Sequence, residues 1–134
     1  VKNEKWDEIV EILLSKKVLI LRGDVNKDMV LHVYKCLLVL EAQNSPDIEI
    51  RFFTEGGEVK SGLDIYDALR KYKGRKTGIV YSRARSMGAV ILQACEERVC
   101  LKHAVVLIHN VRASSISLDE IDDPNRLTKL RQIM

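Results

Sequence analysis

No apolar run in this chain reaches the roughly 18 residues that a membrane-spanning helix needs. The opening, VKNEKWDEIV, lacks the basic-then-apolar order of a signal peptide, and it lacks an initiator Met. The chain is therefore expected to be a processed product or a shortened piece, with no membrane partner. Charge of one sign is also missing. Lys and Arg number 22 against 19 Asp and Glu, a net +3 with no tail of one sign. Aromatics are few, with two Phe, one Trp and four Tyr. Neither a basic stripe nor a base-stacking platform is available, which argues against nucleic acid. Cysteine is scarce: Cys36, Cys95 and Cys100 form an odd set without C-x-x-C spacing. That fits neither a disulfide framework nor a zinc site, and it points to a reducing compartment.

What is present is the balance of a globular domain. Of the 134 residues, 46% are apolar and 31% charged, enough to bury a core. Apolar residues recur at helical spacing over 5–15, with Trp6, Ile9, Val10, Leu13 and Leu14. Val18–Arg22 is a branched apolar run that reads as a buried strand, and Asp24 or Asn26 can cap the helix that follows. Helical spacing returns over 27–42 and 59–72, and strands are expected at 48–54 and 77–81. A further helix is expected over 86–95, then apolar runs at 98–101 and 105–108, then an amphipathic tail over 117–134. Strand and helix alternate, which predicts one α/β domain over 1–134 with a parallel sheet.

Three local features follow predicted strands, where functional residues of α/β sheets gather. Gly56-Gly57 allows a tight turn that brings an N–H close to a ligand; it also suits a plain strand-to-helix turn. Ser86, within Arg85-Ser86-Met87-Gly88-Ala89, stands at the first turn of a helix. There it can act as a nucleophile beside oxyanion-holding N–H groups, or simply as an N-cap. His109 ends the run Val105–Ile108, 23 positions after Ser86. A base for a serine comes from elsewhere in the chain, although a lone His is also an ordinary surface or core residue. His32 and His103 have no evident partner in the sequence.

Taken together and in order, these features resemble the proteolytic subunit of the Clp protease family. The resemblance runs from about Trp6 to Val111. It is carried by LLVLEAQNSPDIEIRFFTEGGEVKSGLDIYDAL, by Ser86-Met87-Gly88-Ala89 and by Ile108-His109. It implies a ClpP-type, crotonase-like α/β fold of repeated β-α units. Residues 1–111 would form the head and 112–134 the start of a C-terminal handle helix. It implies a serine endopeptidase with Ser86 as nucleophile, His109 as general base, and the N–H groups of Gly57 and Met87 as the oxyanion hole. No metal and no cofactor would be required. The implied partners are unfolded polypeptides, an AAA+ unfoldase of the ClpX, ClpA or ClpC type, and further copies closing a ring. The implied location is the cytoplasm, or an organelle matrix or stroma if a transit peptide has been removed.

The chain also departs from the pattern. Phe53-Thr54-Glu55-Gly56-Gly57 stands where the family usually has Asn-Ser-Pro-Gly-Gly, and Arg85 stands where a small residue is usual. Asn110-Val111 replaces the common Gln-Pro. The family's third acid lies beyond the helix after the histidine. The chain stops at Met134, and Asp119, Glu120, Asp122 and Asp123 are its only later acids, none of them assigned. A truncated peptidase is the expectation. A catalytically degenerate ring subunit is the alternative, and an acyl-CoA hydratase of the same fold is a third reading.

Overall fold

The computed structural model describes residues 4–108. Among these residues four helices and five strands follow one another: α1 (Glu4–Ser15), β1 (Val18–Val25), α2 (Lys27–Glu41), β2 (Ile48–Gly57), α3 (Val59–Lys71), β3 (Lys76–Arg85), α4 (Met87–Leu92), β4 (Glu97–Cys100) and β5 (Val105–Leu107). The sheet order is β1-β2-β3-β4, with β5 also against β3, and every pairing is parallel. This is the α/β alternation expected from the sequence. The expected tail helix, and the division into head and handle, fall on 109–134, outside the described residues.

Period-two burial sets the inner face of the sheet. Along β2, Ile48, Ile50, Phe52 and Thr54 are buried while their neighbours are half-exposed. Val80 and Ala84 of β3 face the same core. Met29, Val33, Leu37 and Leu40 of α2, Ile65 and Leu69 of α3, and Ile91 and Leu92 of α4 complete it. Each such side chain stabilises the fold by about 1.5–3 kcal/mol on burial. α2 starts where Asn26, in extended backbone, accepts a hydrogen bond from the Met29 N–H at 3.0 Å. Asn26 is therefore the cap, and Asp24 belongs to β1. One face of α2 stays uncovered: Leu31, Tyr34, Leu38 and Val39 are exposed, Leu38 by 66%.

The central strands run further than their apolar runs suggest, because irregular pairing carries them on. Arg22 pairs with Phe53 but Asp24 with Gly56, so β2 holds one extra residue opposite Gly23. Phe52 pairs with Val80 but Phe53 with Arg83, so β3 bulges at Tyr81-Ser82. β4 and β5 lie along the same edge of β3, the first beside Thr77–Val80 and the second beside Arg83–Arg85. The expected helix over 86–95 is shorter at both ends, since α4 spans Met87–Leu92 and leaves Ser86 outside it.

At the opposite end of the sheet, Lys76 is almost fully buried. Its ammonium donates to Tyr72 O (2.9 Å) and Gly74 O (3.0 Å) and pairs with Glu96 at 3.2 Å. Glu96 also accepts the Lys76 backbone N–H at 2.7 Å. Partial burial raises the Glu96 pKa, but the bonds from Lys76 outweigh it and hold the carboxyl below its ordinary value. A depressed carboxylate contributes stability that is present above its unfolded pKa of about 4.3 and is lost as pH falls through the folded value. Denaturant unfolding at decreasing pH should therefore show stability falling below about pH 4, with Glu96→Gln flattening that dependence. Lys76→Met, which strands two carbonyls, should destabilise by about 2–4 kcal/mol in urea melts.

Candidate active site

The carboxyl ends of β2 and β3 bring two stretches of backbone together. Gly56 has φ +97°, a left-handed conformation that a side chain strains. A Cβ placed there would lie 2.7 Å from Arg85 O, 2.8 Å from Ser86 Cβ and 3.1 Å from Met87 N. The Gly56-Gly57 stretch therefore runs directly against Arg85-Ser86-Met87. It is the end of β2 rather than a separate turn, paired with Asp24 and Val25 of β1. Three of the sequence-predicted residues, Gly57, Ser86 and Met87, thus belong to adjoining segments. His109 lies outside the described residues.

Ser86 has φ 53° and ψ −118°, a region that costs a non-glycine residue about 1–3 kcal/mol. It occupies the N-cap position of α4, yet its side chain makes no capping hydrogen bond. The capping role open at the sequence level is not what this serine does. Its backbone is held on both sides. The Ser86 N–H donates to Leu107 O of β5 at 2.7 Å, and Ser86 O accepts from Ala89 N (3.0 Å) and Val90 N (3.3 Å). Met87 is the first residue of α4, where a helix leaves N–H groups without an intrahelical partner.

Glu55 and Arg85 form one cluster. Glu55 binds the Arg83 guanidinium, and Arg85 Nε lies 3.4 Å from the second Glu55 oxygen. All three side chains are about half-exposed, so the pairs add little to stability. Their effect is on the local field: the carboxylate beside Gly56 is matched by two cations.

Thr54 escaped the sequence reading. Its side chain is 1% exposed. The hydroxyl donates to Gly23 O at 2.6 Å and accepts from Gly56 N at 3.0 Å. The signal was present as a polar residue in register with Ile48, Ile50 and Phe52 on a buried face. The role of Arg83 was also missed, since nothing local in the sequence pairs it with Glu55.

A cavity of about 790 Å³ lies elsewhere, between α1, β1 and α2. It contains His32, whose ring nitrogens sit 3.8–3.9 Å from Cys36 Sγ, so His32 has a neighbour that the sequence did not reveal. Burial lowers the His32 pKa and pushes the Cys36 thiol up to about 11. A thiol so protonated at neutral pH is no activated nucleophile.

The parallel α/β sheet thus carries a serine with positive φ at a strand-to-helix turn, set against a glycine-bearing strand end. The family model for Clp protease matches residues 1–132. The ATP-dependent Clp protease proteolytic subunit of Carsonella ruddii (strain PV) is 33% identical over 113 residues, covering 81% of this chain and 58% of that protein. The chain belongs to the Clp protease family, and its α/β architecture is that of the ClpP fold. It spans little more than half the length of that relative.

The close approach at Gly56 gives a direct prediction. Gly56→Ala should destabilise the protein by at least about 1–3 kcal/mol, because the methyl group meets backbone atoms and the conformation is strained. Chemical denaturation would measure it, and Lys27→Ala, at an exposed position on α2, should stay within about 0.5 kcal/mol.

Proposed function

We propose that this chain is the head of a serine endopeptidase, the proteolytic subunit of a ring-forming ATP-dependent protease. The observation that carries the reading is the backbone of Ser86. A strained serine between a strand and a helix, with its hydroxyl free of capping duty, is the arrangement of a nucleophile presented at a sheet edge. Ser86 Oγ attacks the carbonyl carbon of a peptide, and His109 takes its proton. The Gly57 and Met87 N–H groups hold the oxyanion of the tetrahedral intermediate. Collapse expels the amine, which leaves with the proton from His109. Water then cleaves the acyl-enzyme by the same route.

The placement of His109 in the chain suits this role, because it is two residues beyond Leu107, whose carbonyl receives the Ser86 N–H. The charge cluster suits it too. An unpaired Glu55 would repel an oxyanion forming nearby, and its pairing with Arg83 and Arg85 removes that penalty. This weighs against a degenerate subunit as the meaning of Glu55 and Arg85. The exposed face of α2, with Leu31, Tyr34 and Leu38, supports contact with further copies. A peptidase enclosed in such a ring admits only unfolded chains, which calls for an AAA+ unfoldase in the cytoplasm or an organelle matrix.

A fluorophosphonate should label the assembled, full-length protein at Ser86. Ser86→Ala should abolish labelling and lower peptide hydrolysis by about four to six orders of magnitude. Its stability should change by no more than about 0.5 kcal/mol, as no cap is lost. A parent protein that stays unlabelled while forming rings would instead be a structural subunit. Separately, Leu38→Glu should shift sedimentation toward smaller species at micromolar concentration.

A further inference from the structure

We infer that Thr54 is a positioning residue for the proposed peptidase site, its hydroxyl fixing the Gly56-Gly57 strand end in the place from which the Gly57 N–H meets the oxyanion. The inference rests on the functional reading above.

The need for such a group arises from the bulge. Between the Arg22–Phe53 and Asp24–Gly56 pairs, β1 spends one residue and β2 spends two. The ladder cannot bond regularly across that gap, and groups there are left to find other partners. Gly23 takes φ +84°, and its carbonyl accepts the Thr54 hydroxyl at 2.6 Å. The Thr54 hydroxyl oxygen in turn accepts the Gly56 N–H at 3.0 Å. One hydroxyl has a single proton to donate and lone pairs to accept with, so both of its capacities are used. The bond to Gly56 N falls on the residue adjoining Gly57, within the stretch that abuts Ser86 and Met87.

The other branch of the side chain faces α4. A Cβ on Gly88 would lie 2.6 Å from Thr54 Cγ2, so the methyl group is seated against the helix that carries Met87 at its start. Thr54 thus touches β1, the Gly56 amide and α4 at once. It fixes the spacing between the two segments proposed to supply the oxyanion donors. Such donors act only when aimed at the position the oxyanion will occupy, within a few tenths of an ångström. Without its hydroxyl, Thr54 would leave Gly23 O and Gly56 N to water or to each other, and the strand end would relax.

The test separates the hydroxyl from the methyl by two routes in the assembled, full-length protein. Thr54→Val keeps the shape and removes the hydroxyl. Thr54→Ser and Thr54→Ala both remove the methyl and differ from one another mainly in the hydroxyl. Rates are normalised to the folded, assembled fraction. The expected result is a fall in kcat of about 10- to 100-fold for Thr54→Val, with KM within about twofold and fluorophosphonate labelling of Ser86 slowed in parallel. Thr54→Ser should retain most of kcat and Thr54→Ala should lose it. If Thr54→Val does not fold, the comparison of Ser with Ala decides the matter. Equal kcat in variants with and without the hydroxyl, once normalised, would overturn the positioning role and leave the peptidase reading intact. A parent protein that neither labels nor cleaves would overturn both.

Discussion

Everything at the carboxyl edge of this sheet depends on one close approach. The end of β2 runs so near the Arg85-Ser86-Met87 backbone that no side chain fits between them at Gly56. Such an approach conflicts with a regular parallel ladder, whose strands sit about 4.8 Å apart with side chains alternating between faces. The conflict is resolved by irregularity. β2 gains a residue against β1, and β3 gains two against β2, at neighbouring levels of the sheet. Above those levels the strands meet in a new register, and Ser86 is left in a conformation that only its surroundings can sustain. The Leu107 carbonyl on one side and the first turn of α4 on the other supply that constraint.

Strain of this kind needs a rigid base, and the lower half of the domain provides one. Ile48, Ile50 and Phe52 belong to one buried cluster with side chains of α2, α3 and α4, and Lys76 ties the end of α3 to the loop before β4 through Glu96. Its cost of burial is offset by two carbonyls and a carboxylate rather than by one partner. The polar groups of the upper half divide differently. Thr54 is buried and fully bonded, whereas Glu55, Arg83 and Arg85 remain partly in water. The buried group sets geometry. The exposed cluster sets the local field without much effect on stability.

The sequence carried the scaffold well because burial writes itself locally. Branched apolar runs marked β1, β2 and β3, and helical spacing marked α1, α2 and α3. It carried the strand ends poorly. Asp24, Glu55, Gly57 and Arg83 fall outside the strands expected from the sequence, yet they lie in strands, because their place depends on bulges that arise between strands and not within them. The serine itself was legible through Ser86-Met87-Gly88-Ala89, but its backbone conformation was not. A positive φ at a serine has no local signature, and an N-cap would use the same residue at the same position. Glu55 and Arg85 looked like two separate departures from the family pattern. They are 30 positions apart in sequence and within 3.4 Å in space, so only the β2–β3 pairing makes them one feature.

That pairing changes what the departures mean. A proline before the glycines would restrict the strand end through its fixed φ and supply no charge. Here Glu55 occupies that position and is anchored from outside by Arg83 and Arg85, while Thr54 anchors the same strand end from inside. The restraint is thus spread over side chains on opposite faces of the sheet, one buried and bonded to backbone, the other exposed and ionic. Salt weakens the second and leaves the first untouched, because screening acts on exposed charges and not on a hydroxyl enclosed in the core. Added salt therefore loosens the Glu55 pairs with Arg83 and Arg85 while the Thr54 bonds to Gly23 and Gly56 stay in place.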